Sequence, residues 1–183
     1  MKTLYIIFII IIIFLTILTF IKILYKYNND KLKNIINTLN ETMDECNKKY
    51  KIKHKELIKM IEIVESKYKI ESKIFDKVKQ MEEKDFIEKE KTLNKCYKEI
   101  LQIKEDNKKP RELKTFTSSI KKYEDNELLI ISLRTFYNKY ALEYNNLLKK
   151  FPCSTIAKIK GYDIKPILEG KEIDSNFNND LEV

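Results

Sequence analysis

The stretch TLYIIFIIIIIFLTILTFI, from Thr3 to Ile21, carries no charge. As a helix it would cover about 28 Å, close to the hydrocarbon thickness of a bilayer. Lys22 can extend its ammonium to the headgroups, so Ile23, Leu24 and Tyr25 lengthen the span. A helix this uniformly apolar has no polar face to offer water, which argues against a surface helix of a soluble domain. A cleaved signal would have a shorter apolar region followed by small residues of the A-x-A type, and none follows. Residues 1–25 are therefore expected to form a single-pass transmembrane anchor that meets the lipid bilayer through residues 4–25. One flank offers Lys2 and the α-amine, the other Lys22, Lys26, Lys31 and Lys33. The positive-inside bias then places the N-terminus outside and the body in the cytoplasm.

Composition narrows what the body can be. There are two Gly and three Pro in 183 residues, too few for many tight turns, so a few long helices are expected. The net charge is +8, or 34 − 28 = +6 without Lys2 and Lys22. Lys and Glu alternate in runs such as EEKDFIEKEK, the pattern of a solvated helix face. Arg111 and Arg134 are the two arginines. Without an Arg cluster, no specific nucleic-acid partner is expected, whereas weak attraction to an anionic membrane is compatible with the charge. Cys46, Cys96 and Cys153 are odd in number and far apart, which suits buried thiols in a reducing compartment.

Apolar residues recur at steps of three and four from Tyr27 onward. One segment is marked by Leu32, Ile35 or Ile36, Leu39 and Met43, and a second by Leu57, Ile58, Ile61, Val64, Tyr68, Ile74 or Phe75, and Val78. A third runs through Phe86 or Ile87, Leu93, Cys96 or Tyr97, Ile100 and Ile103, and a fourth through Ile120, Tyr123, Ile130, Tyr137, Ala141, Tyr144, Leu148 and Phe151. No boundary separates the first two, which allows one long helix continuous with the span. Pro110 suits the first turn of the fourth helix, and the Phe151-Pro152 pair stops it. STIAKIKG then reads as a short helix with Ser154 as N-cap and Gly161 just past its end. The expected fold is all-α: a transmembrane helix, then a four-helix bundle with long antiparallel helices over residues 26–170, and a polar, disordered tail over 171–183.

The residues for several chemistries are missing. His54 is the single histidine, so neither a clustered zinc site nor the paired E-x-x-H motifs of di-iron bundles can form, and no nucleophile motif accompanies it. His54 is expected at a helix edge. Gly161 and Gly170 are the two glycines, which excludes phosphate-cradling glycine loops. No enzyme activity, catalytic residue, cofactor or metal is expected.

RTFYNKYALEYNNLLKKFP, from Arg134 to Pro152, repeats a Tyr-Asn pair at a seven-residue interval. Seven residues turn a helix by about 700°, so Tyr137 and Tyr144 fall nearly in line, as do Asn138 and Asn145. One stripe reads Glu127, Ile130, Arg134, Tyr137, Ala141, Tyr144, Leu148, Phe151. The charged residues in this row suggest either a buried Glu127–Arg134 pair or a polar pocket that admits a ligand.

The segment NELLIISLRTFYNKYALEYNNLLKKFPCSTIAKIKGY resembles the C-terminal signature of the LemA family, approximately E-N-x-I-x-x-A-R-x-x-Y-N-x-x-V-x-x-Y-N-x-x-x-x-x-F-P-x-x-x-x-A-x-x-x-G-F. The matching residues are Glu127, Ile130, Arg134, Tyr137, Asn138, Tyr144, Asn145, Phe151, Pro152, Ala157, Gly161 and Tyr162. DNKKPRELK is similar to the family's N-Y-P-E-L-K turn, and KPILE to its F-F-E-type ending. The first half, around KHKELIKMIEIVESKYKIE, departs further: a proline is absent, Ile70 stands near the place of a histidine, and a first-helix Trp is missing. The resemblance spans Tyr27 to Glu169 and is strongest after Pro110. It implies a membrane anchor and a four-helix bundle, with no established catalytic activity. It makes Glu127, Arg134, Tyr137, Asn138, Tyr144, Asn145, Phe151, Pro152 and Gly161 signature residues with structural roles. Two functions fit: a noncatalytic module that binds another protein or organises a membrane assembly, with possible self-association, or a tethered sensor of a small ligand or peptide.

Overall fold

Neither Gly nor Pro occurs before Pro110, so nothing obliges the first hundred residues to break a helix. In the computed structural model, which describes residues 2–81, 86–106 and 114–168, α1 runs unbroken from Lys2 to Tyr68. The apolar run and most of the first two amphipathic segments are thus one helix, about 100 Å long. It ends where Lys69 takes a left-handed conformation (φ 53), the usual terminating geometry without the usual glycine. The rest of the second segment is a separate helix, α2, Lys73–Lys79. Ser72 is its extended N-cap, and its Oγ accepts the Ile74 N–H at 3.4 Å. Three more helices follow: α3, Phe86–Asp106; α4, Lys114–Leu148; and α5, Cys153–Lys160. The described residues contain no strand, as an all-α fold requires. The Pro110 turn and the tail over 171–183 lie outside them.

Two expectations at the end of α4 are corrected. The helix stops at Leu148, and Phe151, expected on the inward stripe, is exposed. The Phe151–Pro152 peptide is cis and lies in the turn. Pro152, not Ser154, is the N-cap of α5. The Ser154 N–H is already bonded to Lys150 O at 2.9 Å, which places Ser154 inside the first turn. Proline tolerates the helix start because it has no N–H to leave unsatisfied. At the other end Gly161 has φ 66 and ψ 40, and the Tyr162 N–H returns to Ala157 O at 3.0 Å. No neighbour would meet a Cβ there, so it is the left-handed backbone, not space, that favours glycine at this position.

The chain forms two compact units, and α1 and α4 contribute to both. One gathers Met1–Glu41 with Phe136–Glu169. It buries Leu32, Ile35 and Leu39 of α1, Tyr137, Ala141 and Tyr144 of α4, Cys153, Ile156 and Ala157 of α5, and Leu168. The other is built on Thr42–Thr135. Its core joins Tyr50, Leu57, Ile61 and Val64 of α1, Phe75 and Val78 of α2, Leu93, Cys96 and Ile100 of α3, and Phe116, Ile120 and Ile130 of α4. Each such side chain, removed from water, contributes about 1.5–3 kcal/mol. Within this unit α1 and α4 are antiparallel, since Lys53 meets Glu127 and Glu56 meets Ser119.

Candidate functional site

The stripe read from α4 faces inward over most of its length. Ile130, Arg134, Tyr137, Ala141 and Tyr144 are buried, and Glu127 and Leu148 are half-buried. The charges on it pair differently from the expectation. In the Thr42–Thr135 unit, Arg134 Nη1 donates to Glu90 Oε2 of α3 at 2.6 Å, while Glu127 accepts from Lys53 of α1. Each finds its partner on another helix, at its own height in the core. A pair seven residues apart on one helix would instead run along the axis.

Lys53 is completely buried, so its ammonium must be compensated on every side. Besides Glu127, its Nζ donates to Asn94 Oδ1 at 2.8 Å and lies 4.8 Å from the centre of the Tyr123 ring. Tyr123 Oη also donates to Asn94 Oδ1, at 3.2 Å. Burial pulls the Lys53 pKa below the lysine range, and Glu127 opposes that shift. Burial also pushes the Tyr50 and Tyr123 phenols above theirs, with the Glu90 and Glu127 carboxylates adding to it. Sequence reasoning missed Lys53, Glu90 and Asn94. The signal for Lys53 was its position: Cys46, Tyr50, Lys53, Leu57, Met60 and Val64 follow alternating steps of four and three, so one lysine occupies an otherwise inward row.

Beside this network a groove of about 520 Å³ opens between α3 and α4. Asn94, Tyr97, Lys98, Leu101, Tyr123, Glu124, Glu127 and Leu128 line it. Tyr97 and Tyr123 stack at 4.0 Å, and Tyr97 Oη donates to Glu124 Oε1 at 2.7 Å. Leu128 stands exposed at the rim. Further along α1, Glu56 accepts from Ser119 at 2.9 Å and from Lys59 at 2.6 Å. His54, half-buried on α1, donates from Nε2 to Val78 O at 2.8 Å and ties α2 to the unit. Among the described residues, no group of three or more His, Cys, Asp or Glu is placed to hold a metal.

The repeated asparagines belong to the other unit, and both amides bond main chain. Asn138 Nδ2 donates to Leu168 O at 3.0 Å, and its Oδ1 accepts the Leu168 N–H at 2.9 Å. Asn145 makes the same two bonds with Lys165, both at 2.8 Å. Seven helical residues rise about 10.5 Å, and the three steps from Lys165 to Leu168 cover about 10 Å when extended. The heptad interval therefore matches an extended segment laid antiparallel along α4. Four further signature residues belong to this unit: Tyr137 and Tyr144 are buried, and Pro152 and Gly161 bound α5.

The apolar N-terminal part of α1 is long enough to cross a membrane, and none of its most apolar window is buried in the protein. A core helix of a soluble protein would be mostly covered. No curated protein and no solved structure matches the chain. A model of the LemA family matches residues 19–180, from the end of the apolar run through the strap, so the chain belongs to the LemA family.

Proposed function

We propose that this protein is a membrane-anchored, noncatalytic helical module that binds another protein at the inner membrane surface. Residues 1–25 are the anchor and residues 26–170 the helical body. One observation carries the proposal: in α1 an apolar run with no burial in the protein continues, without a break, into a stretch whose Leu32, Ile35 and Leu39 are buried. Internal pairing of Lys53 with Glu127 and Arg134 with Glu90 favours a structural role for the polar row over ligand capture. The groove between α3 and α4, with Leu101 and Leu128, fits the apolar side of a partner helix. The lysines after the span favour a cytoplasmic body.

The test is capture of the full chain in mild detergent, comparing wild type with Leu128→Lys at the groove rim. A protein that co-purifies with wild type and is lost from the variant is expected. Recovery of lipid and the chain itself alone would overturn the proposal. Digestion of the body by protease added outside intact cells would overturn the orientation.

A further inference from the structure

The unit built on Met1–Glu41 and Phe136–Glu169 carries an apolar surface that a groove-binding role leaves unused. Phe151 is 83% exposed, Ile159 66% and Ile164 72%. Single exposed apolar side chains are ordinary, but these share a level along α1. Cys153, the first residue of α5, donates from Sγ to Asn28 Oδ1 at 3.4 Å. Tyr162, just past its end, donates from Oη to Asn29 Oδ1, also at 3.4 Å. Asn28 stands only about 5 Å along the axis beyond Tyr25, where the apolar run ends. α4 descends to the same level. Lys31 pairs with Glu143 at 3.7 Å, and the remaining residues to Leu148 carry α4 about 7.5 Å further, to the height of Lys26.

Both ends of α5 and the turn before it are thus held where the span leaves the bilayer. The same segment presents four exposed lysines, Lys149, Lys150, Lys158 and Lys160, against one exposed carboxylate, Asp163. Apolar side chains among lysines, at the depth where a span ends, are the composition of an interfacial segment. A second copy of the chain would bring the same lysines against these and be repelled, whereas α1 holds the bilayer permanently alongside.

We infer that residues 149–164 form a membrane foot: Phe151, Ile159 and Ile164 enter the boundary between headgroups and acyl chains, with the four lysines at the level of the lipid phosphates. This rests on the reading of residues 4–25 as a span and adds a second, peripheral contact to it.

The chain has no tryptophan, so a single substitution reports on its own site. The full chain is reconstituted into vesicles of phosphatidylcholine and phosphatidylglycerol, with a brominated phosphatidylcholine as quencher. Phe151→Trp and Ile159→Trp probe the foot, and Leu15→Trp probes the span. Leu128→Trp, about 30 Å up α4 from Leu148, is the aqueous reference. At positions 151 and 159 emission shifts to the blue of the reference and is quenched more strongly by bromine near the headgroup than by bromine deep in the chain, the reverse of position 15. If position 15 is not quenched, the span reading fails and the foot with it. If position 15 is quenched while either foot position emits like the reference, the foot alone is overturned. Blue emission without bromine quenching means that protein covers the surface, which also overturns it.

Discussion

Asn138→Ala tests the strap most directly. The substitution removes the acceptor of the Leu168 N–H at 2.9 Å and the donor to Leu168 O at 3.0 Å. Asn138 and Leu168 are both buried, so water cannot freely replace the amide. Two net hydrogen bonds are worth about 1–3 kcal/mol, and a main-chain group left buried without a partner adds about 1–3 kcal/mol. Partial re-solvation as the strap loosens brings the expected cost to about 2–4 kcal/mol. That loss falls on local opening of the strap before it falls on global unfolding. At 1.4 kcal/mol per factor of ten, about 3 kcal/mol raises the open population about a hundredfold.

Amide hydrogen exchange on the full chain in detergent or nanodiscs reads this directly. The Leu168 amide exchanges about a hundredfold faster in Asn138→Ala, and the Lys165 amide, held by Asn145, accelerates less. Asn145→Ala reverses the order, with a smaller effect of about 1–2 kcal/mol because Asn145 and Lys165 are only half-buried. Asn138→Asp keeps an acceptor but sets an anionic oxygen against Leu168 O. It should protect the strap no better than alanine at neutral pH, and should improve as the acid becomes protonated. Unchanged exchange at Leu168 in Asn138→Ala would show that the two asparagine bonds do not hold the segment.

Arg134→Ala leaves Glu90 facing a buried site without its guanidinium, and about 3–5 kcal/mol of stability should disappear, read as a large drop in Tm; an unchanged Tm would contradict the buried pair. Lys53→Met should be strongly destabilising because Glu127 loses its ammonium, while Lys53→Met with Glu127→Leu should recover most of the loss, and simple additivity of the single changes would refute their coupling. Burial pushes Glu56 upward, but the hydrogen bonds from Lys59 and Ser119 win and hold its pKa below 4.5. Its contribution is therefore complete above that unfolded value and is lost as pH falls through the lower folded one, so Glu56→Gln should flatten part of the acid limb of a denaturation-versus-pH curve. Burial raises the Cys46 and Cys96 thiols to about 11 and about 12, so a thiolate-specific reagent at neutral pH should label them only after unfolding.

The long apolar N-terminal helix, the all-α class and the inward row of α4 are legible because each is written as local periodicity over many residues. Gly161 is legible because one residue type suits one backbone conformation. The charge partners are not local. Glu127 and Arg134 share a stripe, which from the sequence allows either a mutual pair or a polar pocket. In the fold, Glu90 and Lys53 arrive from α3 and α1 at the matching heights and take both charges. Lys53 could be suspected from the row it interrupts, but among so many solvated lysines only the facing helices reveal that it is enclosed.

The Tyr-Asn repeat shows how one helix serves two tasks at one level. Neighbouring residues on a helix point about 100° apart. If Tyr137 and Tyr144 face the core, Asn138 and Asn145 must face the adjoining flank, where the strap lies. A tyrosine in place of either asparagine could not donate and accept in parallel, since a phenol carries one hydrogen on one oxygen. The amide presents an N–H and a C=O side by side, as the edge of a strand does, and two amides spaced by about 10.5 Å match an extended backbone every third residue. The bonds read main chain and are indifferent to the side chains at Lys165 and Leu168. A single-residue shift that set Pro166 opposite Asn145 would lose the bond to Oδ1, since proline has no N–H, and a shift in either direction would move Leu168 from its buried place, so the proline and the burial together fix the register.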